Sequence, residues 1–570
     1  MEEKEYLNAL EKLWDKNWPQ DLPREIDYPF GEVPLTEYLR RWAQQTPEKP
    51  VVIFYGTEMT FEELDDLSDR FACFLAGRGL KKGDRVAVLM VNCPQFLIAF
   101  YGILKLGCIY VPVNPLFKER EFLYEMGDAE PRAIVALDLL FPLIQATRDR
   151  TTLETVVTTR LSDFIPSRPA IPVPDLAKMP PVDCPDTDDL VTVLKENGRD
   201  LPEVNISPDD VAALNYTGGT TGLPKGCVHT QRDMVYTAAA IWTFTVENAS
   251  RDDVCLTYFP VFWIAGENVG LLLPVLAGGT EILLARWDPV AVLTAIDRYK
   301  ATLACGLVDN IVELMEHPET GDFDLRSLRV TLGVSFVKKL NVEIRRGWEK
   351  LTGSKIYEAG FGMTETHTSD TFITGLQEGD RDLRSRPIFV GLPMPGTKLK
   401  ICDFETGEPT PLGQEGEILI RTPSLFKGYW QKSGGPRDER RGEWFPTGDI
   451  GMIDEDGFLH YLGRKKEMLK VKGMSVFPSE VETLLGQHPA IDASGVLGRD
   501  DADKGQVPVA FVVLSPEFSG KISEEDLILW CRENMAGYKV PEIRIVPQLP
   551  MSATGKVLKE ELKKELDATG

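Results

Sequence analysis

The chain has 570 residues, and at about 150 residues per domain that length excludes a small binding module and favours roughly four folding units, or fewer and larger α/β ones. Hydrophobic residues at 43%, charged at 26% and aromatic at 9% are ordinary for a globular protein, which excludes a predominantly disordered chain. Sixty-three Lys plus Arg against 88 Asp plus Glu leave a net charge of −25, which opposes non-specific nucleic-acid binding but leaves room for a local anion site.

The nine cysteines are scattered and never spaced C-x-x-C, as expected of reduced, packed thiols in a cytoplasmic protein rather than a disulfide frame or zinc site. The opening MEEKEYLNALEKLWDKNWPQ has acidic residues and Trp where an export signal has a basic start and an apolar core. The most apolar stretch, 269–277, contains Pro274 and is about half a membrane span. No transmembrane anchor is expected; peripheral membrane contact stays open.

In chain order, Thr60 and Glu63 form a candidate capping box before an amphipathic helix. GDRVAVLM at 83–90 reads as a buried strand, PQFLIAFYGILKLG at 94–107 as a helix and CIYVPV at 108–113 as a strand. The grammar repeats with LARW at 284–287, a helix over 288–300 and the apolar TLACGLV at 302–308, which predicts a parallel, helix-covered sheet. The proline cluster at 165–188 reads as a solvated connection. Around 390–462 the texture becomes short strands with hairpin turns at ETGE and DEDG. After Gly463 comes a basic run, Arg464, Lys465, Lys466, Lys470 and Lys472; such a run is usually a solvated face, and here it also stands where a second α+β domain would begin.

The most informative segment is YTGGTTGLPKG at 216–226. Gly218, Gly219 and Gly222 allow close backbone approach, Thr217, Thr220 and Thr221 add hydroxyls and Lys225 adds charge, a set suited to a polyphosphate. It is not a Walker loop, because Gly226 rather than Ser or Thr follows Lys225. The five histidines carry no paired metal spacing, which disfavours a histidine-based metallo-hydrolase. His367 is read either as a neighbour of a substrate or as a surface or packing residue.

This string closely resembles the phosphate loop of the adenylate-forming superfamily, which includes acyl-CoA synthetases, luciferases and peptide-synthetase adenylation domains. Four further segments match in order: YEAGFGMTET at 357–366, FPTGDIG at 445–451, GRKKEMLKVKGMSVFPSEVE at 463–482 and PMSATGKVLKEEL at 550–562. The resemblance implies that Glu358, Ala359, Gly360, Phe361 and Gly362 line the adenine, with Met363 beside them. It also implies that Thr364 meets phosphate, that Glu365 helps to hold Mg²⁺ and that Asp449 accepts from the ribose hydroxyls. Arg464 falls on a ribose and phosphate contact, Lys466 on a hinge and Lys556 on a mobile catalytic lysine. Lys472, Gly473 and Met474 fall on the face presented to CoA. Gly333, Val334, Ser335 and Phe336 lie where the superfamily usually writes GGAPL, which leaves the base and acyl contacts there open, with Gly333 assigned to the nucleotide, and Trp263 stands where His is common. Val261, Phe262, Trp263, Val308, Asp309 and Phe336 are the candidate acyl pocket; Trp263 shapes the acyl tunnel or is a core tryptophan, and Asp309 favours a polar acid or faces away.

The fold expected is α/β: a large N-terminal domain of helix-covered, mainly parallel sheets with a small β-barrel-like subdomain (1–463), then a smaller mobile α+β domain (464–570). The activity implied is an acyl-CoA synthetase that takes ATP, Mg²⁺, CoA and a fatty or other hydrophobic carboxylate, and releases AMP and pyrophosphate. Catalysis would rest on Thr217, Lys225, Glu365 and Lys556, fixed donors and charge rather than a nucleophile. Transfer to a separate carrier protein is the nearest alternative, and a catalytically inactive nucleotide-binding scaffold a more distant one.

Overall fold

Apolar runs flanked by amphipathic helices build parallel sheets here because each strand must be covered on both faces. The computed structural model of the chain describes residues 3–217, 223–245, 249–384, 388–432, 436–472, 474–501, 504–552 and 555–569. One sheet runs Asp188–Asp189, Thr155–Thr159, Ala133–Leu137, Arg85–Leu89, Ile109–Pro112, Val211–Tyr216 and Gly226–Thr230. All neighbours in it are parallel except the last pair. A second sheet runs Lys355–Glu358, Val330–Val334, Leu303–Leu307, Val254–Thr257, Thr280–Leu283, Pro50–Phe54 and Thr57–Thr60, again parallel except for its final hairpin.

Helix Pro94–Lys105 is buried around its whole circumference, which explains why its sequence is apolar on every face. Its terminal Lys105 is fully buried but lies 2.6 Å from Asp65 and 2.8 Å from Asp69, as a buried ammonium requires. The capping box forms: Thr60 Oγ1 accepts the Glu63 N–H and the Glu63 carboxylate accepts the Thr60 N–H, opening helix Phe61–Gly77. Strands and helices fall within a few residues of the sequence expectation, with one correction. LARW at 284–287 is not a strand; the strand is Thr280–Leu283, and those four residues carry the chain to Asp288, which caps helix Pro289–Tyr299. The proline-rich run is only partly solvated, since Ile171 is buried and the Ala170 N–H donates to Tyr55 O.

A third, antiparallel sheet runs Thr371–Phe372, Ile388–Pro393, Leu459–Arg464, Phe445–Ile453, Gly416–Arg421 and Lys398–Cys402. Helix Glu3–Asn17 packs on it through Tyr6, Leu10 and Trp14, one helical face at a spacing of four. Trp14 Nε1 donates to Gly457 O at 2.9 Å and Lys398 pairs with Glu11 at 2.6 Å. The chain ends in a distinct α+β unit. Its sheet orders Met474–Val476, Leu469–Val471, Gly505–Leu514 and Ile491–Asp501, with Glu542–Ile545 parallel to Gly505–Leu514. Helices Pro478–Leu485, Glu524–Asn534 and Lys559–Thr569 accompany it, and it has its own apolar clusters around Val481, Leu527 and Phe511. Among the described residues, no helix is long and apolar enough to cross a membrane.

Candidate active site

The Gly/Thr loop joins the antiparallel strands Val211–Tyr216 and Gly226–Thr230, and its two ends are clamped. Thr217 N–H donates to Lys225 O at 3.0 Å, and Lys225 N–H donates to Thr217 Oγ1 at 3.1 Å. Tyr124 adds a 2.8 Å bond to Pro224 O. Gly218, Gly219, Thr220, Thr221 and Gly222 lie outside the described residues. The half-exposed Lys225 ammonium lies 4.3 Å from the Tyr429 ring centroid and 3.7 Å from Glu439. It is a cation steadied on an aromatic face, facing an open cleft.

Across the cleft, strand Lys355–Glu358 runs into the second matching segment. Its placement depends on Arg345, which is buried, donates to Ile356 O at 3.1 Å and pairs with Asp382 at 2.5 Å and Asp380 at 3.1 Å. The Glu358 carboxylate accepts from Ser335 N–H at 2.9 Å and Ser335 hydroxyl at 2.5 Å. Burial pushes its pKa up. Ala359 N–H donates to Gly333 O at 2.9 Å. A Cβ on Gly360 would sit 2.2 Å from Thr371 O, and one on Gly362 would sit 2.5 Å from Ser369 N, so both glycines permit a close crossing of backbone. Phe361 leans on Tyr461, ring centroids 6.1 Å apart, and Met363 is buried beside it.

Thr364–Thr366 form one helical turn. The next three residues, His367, Thr368 and Ser369, all take positive φ, at 58°, 63° and 62°. Away from glycine such a conformation costs about 1–3 kcal/mol each and persists only where the surroundings over-determine it. Glu365 Oε1 accepts the Tyr429 hydroxyl at 2.7 Å. His367 is fully buried rather than at the surface, with Nε2 3.4 Å from Glu267.

Asp449 and Arg464 are partners in the antiparallel register of Phe445–Ile453 and Leu459–Arg464. The guanidinium Nε lies 3.1 Å from Asp449 Oδ1, off the line of a hydrogen bond, so that oxygen has no hydrogen-bond partner among the described residues. Burial pushes the Asp449 carboxyl from 3.8 to about 7, with Arg464 opposing. A buried acceptor with a free lone pair suits a pair of hydroxyl donors.

Lys556 reaches this cleft from the C-terminal unit. It follows a tight turn in which Ser552 N–H donates to Lys556 O at 2.7 Å and Lys556 N–H to Ser552 Oγ at 3.0 Å. Its Nζ lies 5.0 Å from the Phe336 ring centroid and 5.5 Å from that of Trp263. The Lys556 side chain is exposed, and its pKa is lowered first by the protein around it and then by Arg464. Lys338 and Asp492 add a 2.6 Å ion pair between the C-terminal unit and the body of the molecule.

The remaining candidates separate. Trp263 and Phe336 face each other at 5.9 Å, and Phe262 is partly buried. Val261 and Val308 are wholly buried, Val308 against Gly333. The Asp309 carboxylate accepts the Lys338 N–H at 3.3 Å, so it braces the loop that carries Phe336, and burial raises its pKa. Lys466 lies in the single turn Lys465–Glu467, flanked by ion pairs Lys465 to Glu417 at 3.2 Å and Glu467 to Lys559 at 2.8 Å. Lys472 occupies an exposed turn with φ of 51°, Met474 is half-exposed, and Gly473 lies outside the described residues. Sequence reasoning missed Tyr429, Glu439 and Tyr461, and it named Ser335 only as part of the 333–336 segment, without its bond to Glu358. The only local signal was the aromatic-rich LFKGYW at 425–430, and nothing in it pairs residue 429 with 365.

Two covered sheets, an antiparallel sheet and a small terminal unit whose lysine enters their shared cleft define the architecture of adenylate-forming enzymes. The chain belongs to the family of AMP-binding enzymes: that family's model matches residues 39–430, and the model of the AMP-binding enzyme C-terminal domain matches 480–556. It is 34% identical to the long-chain-fatty-acid–CoA ligase of Bacillus subtilis over 97% of this chain and 98% of that one. To the ligase of the same name from Yersinia pestis it is 33% identical, over 98% of each. A solved structure of an anthranilate CoA ligase in complex with anthranoyl-AMP superposes with a TM-score of 0.79 at 28% identity, covering 96% of this chain and 99% of that chain.

Proposed function

We propose that the chain is an AMP-forming acid–thiol ligase that converts a fatty or other hydrophobic carboxylic acid to its CoA thioester. What carries this reading is the meeting of Lys556 with Phe336, Trp263 and the Asp449–Arg464 pair in the cleft that the clamped Thr217–Lys225 hairpin opens onto. A carboxylate is a poor acyl donor because oxide would have to leave. Attack of its oxygen on the α-phosphorus of ATP breaks the bond to pyrophosphate and makes AMP the leaving group. Lys556 neutralises charge that builds on the α-phosphate, the hairpin loop with Lys225 holds the β and γ phosphates, and Asp449 accepts from the ribose. The aromatic rings of Trp263 and Phe336 flank the place where the reactive carbonyl would lie.

The donor set fits Mg²⁺. Glu365 presents a carboxylate oriented by Tyr429, and among the described residues no group of three or more His, Cys, Asp or Glu is arranged to hold a metal ion by itself. That suits an ion that takes one or two carboxylates and otherwise phosphate oxygens and water. When bound, the ion supplies positive charge to the phosphates.

Thioester formation follows in the same cleft. The thiol of CoA attacks the adenylate carbonyl, the C–S bond forms and AMP leaves. We assign the domains as 1–463 and 464–570, with Lys466 as the hinge about which the smaller one turns to withdraw Lys556 and bring Lys472, Gly473 and Met474 to the thiol's entrance. The test is carboxylate-dependent ATP–pyrophosphate exchange over a panel of acids of varied length and aromaticity, followed by addition of CoA. Exchange with hydrophobic acids and CoA-dependent AMP release are expected. No exchange with any acid refutes the reading, and AMP release with a carrier protein but not CoA changes the acceptor.

A further inference from the structure

Four consecutive carbonyls, from Thr364 to His367, are each held by a donor from another part of the chain. His229 Nε2 lies 2.8 Å from Thr364 O, Phe426 N 2.8 Å from Glu365 O, Ser424 Oγ 2.7 Å from Thr366 O and Asn268 Nδ2 3.0 Å from His367 O. This clasp explains how three successive non-glycine residues stay at positive φ immediately afterwards. It also fixes the direction in which Thr364 and Glu365 project.

We propose that His229 is a positioning residue for Thr364 and Glu365, setting the phosphate and cation ligands in register with the phosphate loop. The proposal rests on the ligase reading above. His229 stands on strand Gly226–Thr230, which begins directly after Lys225, so one rigid strand ties the loop at one end to the Thr364 carbonyl at the other. Cys227 and His229 project from the same face of that strand, by the alternation of side chains.

A carbonyl only accepts, so Nε2 carries the hydrogen. The wholly buried ring cannot turn freely. His367 meets it edge-on at 4.7 Å, and Asp233 Oδ2 lies 3.7 Å from Nδ1. The Asp233 carboxylate is already engaged by the Thr230 N–H at 2.8 Å and the Lys427 ammonium at 3.1 Å. Burial favours the neutral ring, consistent with a single donor aimed at one acceptor. Tyr429 holds the Glu365 carboxylate directly, while His229 and the main-chain N–H of Phe426, which substitution leaves in place, hold the backbone of the two ligand residues.

The test compares His229→Leu, which removes the donor, with His229→Gln, whose amide restores one. Loss of one buried hydrogen bond corresponds to about tenfold. His229→Leu is therefore expected to raise KM for MgATP in pyrophosphate exchange about tenfold, with KM for the acid unchanged, and His229→Gln to recover most of the loss. A readout apart from turnover is Mn²⁺ affinity in the presence of a non-hydrolysable ATP analogue, measured by electron paramagnetic resonance. It should fall about tenfold in His229→Leu. If that protein does not fold, His229→Asn, whose amide is too short to reach Thr364 O, takes its place with the same expectation. Unchanged MgATP KM and Mn²⁺ affinity, or equal losses in the Leu and Gln variants, overturn the assignment. Absence of exchange in the parent protein overturns the ligase reading instead.

Discussion

Replacing Asp449 by Asn tests whether a buried carboxylate is kept for the nucleotide at the expense of stability. Folded Asp449 keeps its proton up to about pH 7, while its ordinary value is 3.8. Between those values the folded state binds the extra proton, so its contribution to stability falls as pH rises through the window and stays unfavourable above it. Roughly three pH units at 1.36 kcal/mol each give an upper bound of about 4 kcal/mol. For 570 residues unfolding at about 2.1 cal/mol/K per residue, that is about 3 °C in Tm.

Asp449→Asn should therefore melt higher than the parent at pH 8, with the difference vanishing toward pH 4, as followed by differential scanning calorimetry. AMP binding should change in the opposite sense. Ribose hydroxyls donate to the ionised carboxylate, whose population rises about tenfold between pH 6 and pH 8 for a value near 7. Parent affinity, measured by isothermal titration, should rise by that factor, whereas the Asn variant should bind weakly and without this slope. A variant less stable than the parent at pH 8, or one retaining the same affinity slope, would refute the account.

Lys556→Ala removes a unit charge from the reacting phosphate. At about 4 Å and an effective dielectric constant near 20, its interaction is about 4 kcal/mol. Pyrophosphate exchange should fall about a thousandfold, while thioester formation from a supplied acyl-adenylate falls far less; equal loss in both steps would reject the division of labour. Lys466→Pro should slow thioester formation and spare exchange, and unchanged single-turnover thioesterification would argue against a hinge there. Arg345→Met leaves Asp382 and Ile356 O without a buried partner, a change of about 3–5 kcal/mol. It should appear as a lowered Tm even without nucleotide, and an unchanged melt would mean that the cluster contributes nothing.

The parallel sheets were legible because βαβ order with apolar strands leaves few alternatives, and LARW failed because apolar character continues past Leu283, the strand's last paired residue. The turn at DEDG was legible from side-chain chemistry: Asp454 accepts the Asp456 and Phe458 N–H groups. In the site, the loop, the 357–366 segment, Asp449, Arg464 and Lys556 were readable as strings. Their partners were not. Tyr429 reaches Glu365 and Ser335 reaches Glu358 across sequence separations of 64 and 23 residues, and a Tyr or Ser in isolation carries no mark of the carboxylate it will orient. Asp309 shows the same limit from the other side, since only packing decides whether a carboxylate faces a substrate or a backbone N–H.

Helix Glu3–Asn17 has a bearing on how the molecule is made. Trp14 and the carbonyl it bonds are 443 residues apart, so during synthesis the amphipathic face of Tyr6, Leu10 and Trp14 must wait for nearly the whole larger domain to emerge. Until then the Trp14 indole lacks the acceptor it bonds in the finished fold, and that face of the helix stays open to other contacts. Trimming the leading residues for expression would in turn bare a strip of the antiparallel sheet in the finished protein.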